Sequence, residues 1–305
     1  LASNQLKHAG AGFIQIWESR RPVRSLDVFG MDYGPGVPDL ESAVQEGQSS
    51  VGTLGRGLGS VLRLADAADL FTIPTARAGG LPWHGLAAWT RFCPTPPAEP
   101  DGLELGLLLR AYQDHYHSGD RICLSPTAGD GLRWLHLDGS GHGEEAERIV
   151  AGMEDLVGVA GGITEVLEHL GERLKGTRGA VAAVGEIHPG DEAAYLTGLG
   201  DMAAYRVQGQ RRHSCPFPPG ILGQKHPGRT REAEQVALPP GAMLMTASDG
   251  IRTGWDPTEF PDLFRRHPQL VAFLLGHILG RANDDRSLAV FRMTPNAAPK
   301  QRGSP

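Results

Sequence analysis

Trp134-Leu135-His136-Leu137-Asp138-Gly139-Ser140-Gly141-His142-Gly143 runs from an apolar strand into an acid and then into a glycine-rich turn. The pattern recurs. Asp249 ends Met243-Leu244-Met245-Thr246-Ala247-Ser248 and is followed by Gly250. Asp120 sits in Ser118-Gly119-Asp120, just before Ile122, and Asp284-Asp285 precedes Leu288-Ala289-Val290-Phe291. An acid at the end of a buried strand is costly unless something neutralises it. Several converging acids also raise one another's pKa. A pair of hard divalent cations, Mg²⁺ or Mn²⁺, removes both costs, because these ions take carboxylates and waters as ligands. The glycines after Asp138 and Asp249 let the backbone approach an ion closely. A lone Asp-Gly is an ordinary turn pair, but four strand-terminal acids in order are a far more specific signal. Two such metals activate water near neutral pH and bracket a phosphoryl group.

Around these acids the pattern predicts strands over 103–109, 132–137, 180–187 and 242–246. Ala146, Ile149, Val150, Met153, Leu156 and Val157 recur at helical spacing, and so do Ile163, Val166, Leu167, Leu170 and Leu174. Residues 270–279 are apolar nearly all round, which predicts a buried helix. Upstream, Cys93-Pro94-Thr95-Pro96-Pro97-Ala98-Glu99-Pro100 reads as a stiff linker over 93–102. Residues 1–92 form a separate, glycine-punctuated block. It has a helix end over 1–9, strands at 13–17, 26–29, 70–73 and 85–92, and a helix carrying Leu58, Val61, Leu62 and Ala65. The expected class is α/β, as α+β sandwiches, with domains at 1–92 and 103–293 and a disordered tail over 294–305.

Composition narrows the function. The net charge of −6 and the lack of a Lys/Arg block argue against bulk nucleic-acid binding. Cys93, Cys123 and Cys215 are scattered without metal-ligand spacing, as in a reducing cytoplasm. No apolar run reaches the ~18 residues of a membrane span, and no signal peptide opens the sequence.

The stretch from 103 to 293 resembles the SpoIIE-type branch of the PPM metal-dependent protein Ser/Thr phosphatases, a β-sandwich flanked by helices. The resemblance rests on Ser118-Gly119-Asp120, the turn at 138–143, Thr177-Arg178-Gly179-Ala180, Gly198-Leu199-Gly200-Asp201, Gly220-Ile221-Leu222-Gly223, Ser248-Asp249-Gly250-Ile251 and Asp284-Asp285-Arg286-Ser287. It implies that Asp138 bridges two Mn²⁺ or Mg²⁺ ions and that the Gly139 carbonyl binds one. Asp249 and Asp284 would complete the second ion's shell, and Asp120 would ligate directly or through water. Asp284 is preferred over Asp285 as the first residue of the family's D-[DN]-x-[ST] motif. Asp201 stands where the family usually has Asn, and Ser140 where it usually has an apolar residue; neither removes a ligand. His142 belongs to the glycine turn and is a weaker candidate for a general acid. His115 and His117 read as ordinary polar positions, and Arg178 as a salt-bridge residue.

Residues 1–92 are similar to the anti-sigma-factor serine-kinase branch of the GHKL ATPases. Leu1-Ala2-Ser3-Asn4-Gln5-Leu6-Lys7-His8-Ala9, Asp32-Tyr33-Gly34-Pro35-Gly36-Val37 and Gly55-Arg56-Gly57-Leu58-Gly59 carry that likeness in the family's order. It implies ATP with Mg²⁺ held by Asn4, and the adenine amino group accepted by Asp32. Gly34 and Gly36 would shape the adenine pocket, while Gly55, Gly57 and Gly59 cradle phosphates at a helix start. The family's catalytic glutamate lies four residues before this Asn, so the sequence begins just after it. The ATP-binding domain is therefore expected to be incomplete at its N-terminus.

Together these resemblances imply a bacterial cytoplasmic phosphatase that hydrolyses phosphoserine or phosphothreonine. Its substrate would be a STAS-type anti-sigma antagonist in a partner-switching circuit, with no nucleic acid and no membrane involved. The alternatives are a catalytically silent partner-binding module and, in a full-length protein, a bifunctional kinase and phosphatase.

Overall fold

The computed structural model describes residues 5, 9–19, 24–45, 59, 61–95, 102–114, 116–127, 131–159, 161–224 and 232–294. Fourteen strands form three antiparallel sheets among these residues. The first sheet holds β1 (Gly12–Ser19), β2 (Ser25–Asp32), β3 (Ala67–Ile73) and β4 (Gly85–Phe92) in the order β1-β2-β4-β3. The short helix α1 (Leu40–Gln45) lies between β2 and β3 in sequence.

The second sheet takes β5 (Leu103–Arg110), β10 (Ala203–Gln208), β11 (Arg211–Ser214), β13 (Met243–Ala247) and β14 (Arg286–Met293), ordered β11-β10-β13-β14-β5. The third holds β6 (Asp120–Pro126), β7 (Leu132–Gly139), β8 (Ala180–His188), β9 (Ala193–Leu199) and β12 (Glu234–Ala237), ordered β12-β9-β8-β7-β6.

These two five-stranded sheets pack face to face, and alternation along β7 shows why. Leu132 and Trp134 point into the space between the sheets, where Trp134 meets Phe291 at 4.4 Å between ring centroids. Leu135 and Leu137 point the other way, into a core with α2 (Gly143–Val150) and α3 (Ile163–Arg173). With both faces covered, the strand is buried almost throughout, Arg133 and His136 included. Helix α3 buries Ile163, Val166, Leu167 and Leu170, the spacing read from the sequence.

The single helix expected over 146–157 is broken. α2 stops at Val150, Ala151 is extended, Gly152 takes φ 73°, and a 3₁₀ turn follows at Leu156–Gly158. Met153, Leu156 and Val157 stay buried all the same. The apolar residues keep their partners, and only the backbone between them changes.

The helix α4 (Pro268–Ile278) lies on the outer face of the second sheet, and its opposite side is covered by the first. One continuous core joins Phe29, Phe71 and Trp89 of the first sheet to Phe273 and Leu274 of α4 and to Met245 and Val290 beneath. Burial on both sides explains a helix apolar nearly all round. The Gln269 side-chain amide donates to Leu107 O at 2.8 Å and accepts from Leu107 N at 3.1 Å. It thereby occupies backbone groups of β5, an edge strand.

Close approach here requires glycine, because a Cβ on Gly106 would lie 2.1 Å from Pro268 O. Gly106→Ala is therefore expected to push α4 off the sheet and cost about 1–3 kcal/mol. Urea unfolding of the purified chain measures this; an unchanged midpoint would show that α4 has slack at this crossing.

Cys93, Cys123 and Cys215 form no disulfide among the described residues. Among the described residues no helix is long and apolar enough to cross a membrane. The helix expected over 1–9 lies largely outside the described residues, as do most of the proline linker and residues 295–305.

Candidate active site

Strand register assembles the acids. Asp120, first residue of β6, pairs with Asp138 near the end of β7. Asp249 lies two residues beyond β13 and Asp284 two before β14, and those strands are neighbours. The strand ends are pinned by backbone bonds from Gly139 N to Gly119 O at 3.0 Å and from Arg281 N to Gly250 O at 2.8 Å. Two glycines allow this packing. A Cβ on Gly139 would sit 2.9 Å from Ala146 O, and one on Gly250 would sit 1.8 Å from Asp285 O.

Asp138, Asp249 and Asp284 line one cavity of about 660 Å³, with Ser140, Gly141 and His142 at one side and Phe217, Pro219 and Ile221 at another. Asp120 is not in that wall. It is buried beneath, 2 % exposed, where its carboxylate accepts from Ser287 Oγ at 2.7 Å. The two neighbouring acids of the D-D pair separate: Asp284 faces the cavity, while Asp285 is buried and accepts from Tyr112 N at 2.6 Å and Gly119 N at 2.7 Å. Asp285 therefore anchors the segment that leads into Asp120.

Sequence reasoning did not assign Asp201 or Asn283 to the site, yet both line the cavity. Asp201 follows β9 as the other acids follow or precede their strands, so the same signal marked it. His136 carried no such signal, being a polar residue inside an apolar run. His142 is exposed at the cavity wall, with its ring 5.1 Å from that of Tyr112. Arg178 pairs with Glu145 at 3.3 Å on the surface. His117 pairs with Glu147, and His115 lies outside the described residues.

Burial and crowding raise three of these acids. Burial pushes Asp138 up to about 9, with Asp120, Asp249, Asp201 and Asp284 adding repulsion. Asp120 rises to about 7, chiefly by burial and against the hydrogen bonds from Ser287 and Ser248. Asp249 is raised by burial and by Asp284 and Asp201, with Arg281 opposing. His136 is pushed down to about 3 by complete burial. Among the described residues no three acid, His or Cys side chains form a ready metal cage. An all-oxygen set of converging but separated carboxylates still fits hard divalent ions, which keep several waters of their own.

In the first sheet, Asp32 is 7 % exposed, and its Oδ1 accepts from Gly34 N and Leu86 N, both at 3.0 Å. Gly36 takes φ 69°, where a Cβ would meet Ile73 O at 2.7 Å. A Cβ on Gly34 would meet the Ala9 side chain at 2.6 Å. These residues build one tight turn. Gly59 lies beside Val44 O and the Arg63 side chain. Asn4, Gly55 and Gly57 lie outside the described residues.

No family model matches the chain. Serine/threonine-protein kinase RsbT of Bacillus subtilis (strain 168) is 38% identical over 74 residues, 24% of this chain and 56% of that protein, in the N-terminal region. The chain thus spans little more than half the length of this curated relative. A structure from a study of the bacterial stressosome is 27% identical with a TM-score of 0.55, covering 62% of this chain and 99% of that one. RsbX in complex with magnesium is 16% identical with a TM-score of 0.56, covering 64% and 98%. The S. agalactiae serine/threonine phosphatase is 15% identical with a TM-score of 0.50, covering 63% and 99%. At identities of 16% and 15% these last two likenesses speak to fold. The chain therefore joins a kinase-like N-terminal region to a domain with the fold of the PPM serine/threonine phosphatases.

Proposed function

We propose that the chain is a Mn²⁺- or Mg²⁺-dependent phosphatase that removes phosphate from serine or threonine of a small regulatory protein, a STAS-type anti-sigma antagonist in partner switching. The observation that carries this reading is the set of acids lining one cavity over the buried Asp120. Asp138, the Gly139 carbonyl, Asp249 and Asp284 would hold two ions, with Asp120 supporting from below. When bound, the ions would supply Lewis-acid charge for the phosphoryl group and make water acidic enough to attack. Phe217, Pro219 and Ile221 give part of the cavity lining an apolar character. His142, exposed at the cavity wall, would be the weaker candidate to give a proton to the departing seryl or threonyl oxygen.

The kinase-like region is the proposed regulatory partner of this site, binding ATP with Mg²⁺ at Asn4, Asp32, Gly34, Gly36, Gly55, Gly57 and Gly59. Two features support coupling. The first sheet shares its core with α4, and Tyr33, beside Asp32, bonds His277 near the α4 C-terminus at 3.1 Å between Oη and Nε2. The silent-module alternative is disfavoured because a site that only binds a partner gains nothing from acids that repel.

Hydrolysis of p-nitrophenyl phosphate by the purified chain, with Mn²⁺ and with EDTA, tests the activity. A phosphorylated STAS-domain protein then tests the substrate. Turnover is expected with Mn²⁺ alone; none under any divalent ion would sink the reading.

A further inference from the structure

Along the space between the two large sheets the side chains change in order from apolar to hydroxyl and imidazole to carboxylate. Trp134 and Phe291 come first, then His136, Thr246 and Ser287, then Asp120 and Asp138. His136 is 0 % exposed and touches both sheets. Its Nδ1 lies 2.9 Å from Thr246 Oγ1 on β13, and its Nε2 lies 2.7 Å from Ser287 Oγ on β14. Ser287 Oγ in turn donates to Asp120 Oδ2 at 2.7 Å.

With a metal bound Asp120 is ionised and can only accept, and the proton inventory then sets the direction of this chain. The Ser287 hydroxyl has one proton and gives it to Asp120, so it must accept from His136 Nε2–H. Nδ1 is then unprotonated and accepts from the Thr246 hydroxyl. Each bond polarises the next toward the carboxylate. Ser287 holds Oδ2 from below and Ser248 also bonds the carboxylate, so together they restrain its rotation. Nothing on the phosphatase's chemical path requires a histidine here; an apolar residue would fill the same space between sheets at lower polar cost.

We propose that His136 is a positioning residue: through Ser287 it sets the orientation of the Asp120 carboxylate toward the metal centre, and through Thr246 it keys that orientation to the opposite sheet. This role rests on the metal-dependent reading above. Residues that orient ligands from behind typically change metal affinity or activity by about 10–100-fold when removed.

The test is Mn²⁺ binding to the full chain by isothermal titration, alongside p-nitrophenyl phosphate turnover as a function of Mn²⁺. His136→Phe is expected to weaken Mn²⁺ binding by about 10–100-fold while kcat at saturating Mn²⁺ stays within about threefold. His136→Gln, which can donate to Ser287 and accept from Thr246, should restore most of the affinity. Ser287→Ala should weaken binding to a similar degree, and the double variant His136→Phe/Ser287→Ala should be no worse than either single change.

If His136→Phe fails to fold, Ser287→Ala and Thr246→Val carry the decision. Wild-type Mn²⁺ affinity in folded His136→Phe, or additive losses in the double variant, overturns the positioning role alone. A wild-type chain that neither binds Mn²⁺ nor turns over substrate overturns the phosphatase reading, and this role with it.

Discussion

Asp138→Asn is expected to leave a folded chain that loses p-nitrophenyl phosphate turnover by on the order of 10³-fold or more at saturating Mn²⁺. Lewis-acid charge at a phosphoryl group is worth several kcal/mol, and each ~1.4 kcal/mol is a decade in rate. Asp138 sits where the other acids converge, since Asp120, Asp249, Asp201 and Asp284 all act on it. Activity within about tenfold of wild type would show that Asp138 does not serve the centre.

The same substitution should make the metal-free fold more stable. Without metal, Asp138 is raised to about 9 and Asp120 to about 7, against an ordinary value of 3.8 in the unfolded chain. Between those limits the folded chain binds more protons than the unfolded one, so stability falls as pH rises from about 4 through 9. Thermal unfolding in EDTA should therefore show a lower Tm at pH 9 than at pH 5. Asp138→Asn should flatten that slope, and Mn²⁺ should raise the wild-type Tm most at the alkaline end. A flat wild-type profile would contradict the crowding. Stability lost to function in this way is the usual pattern where a site must hold like charges together.

The acids were visible in the sequence because a carboxylate at the end of an apolar run is a local event, readable without knowing which strands pair. Their pairing was not local. That Asp120 lies opposite Asp138, and beneath the cavity instead of in its wall, depends on the β6–β7 register. β10 and β12 were also hard to read, because short strands with mixed burial such as Glu234–Ala237 carry little periodicity; β9, buried at nearly every position, shows no alternation. The break after Val150 escaped because the apolar spacing continues through Gly152 into Met153, Leu156 and Val157. Periodicity reports which residues are buried, and a 3₁₀ turn can bury them as well as a helix. His136 was invisible for a deeper reason. Its partners Thr246 and Ser287 lie more than a hundred residues away, so nothing near it in sequence marks it as anything but a polar residue in a strand.

Phe273→Ala should cost about 3–5 kcal/mol, as buried aromatic truncations do, which is a large part of a typical stability of about 5–15 kcal/mol. Phe273 is 1 % exposed and stacks on Phe29 at 4.3 Å, with Trp17 at 5.8 Å and Phe13 at 6.2 Å. All three of these partners belong to the first sheet, so the cavity opens between that sheet and α4 and not within the two-sheet sandwich. Trp17 and Trp89 report on the first sheet and Trp134 on the space between the other two. Wild type should unfold in urea as one transition seen by all of them, because one core spans the sheet and the helix. In Phe273→Ala the first-sheet signals should change at lower urea than the near-ultraviolet signal of Trp134; coincident transitions with an unchanged midpoint would show the contact to be superficial. The helix is not a passive floor. Just beyond it Leu279 O accepts from Arg252 N at 3.0 Å, Arg281 N donates to Gly250 O at 2.8 Å, and the chain then turns into Asn283 and Asp284 at the cavity. Loosening α4 from the first sheet therefore loosens the segment that carries Asp284, and the variant should need more Mn²⁺ for half-maximal turnover although Phe273 lines no part of the cavity.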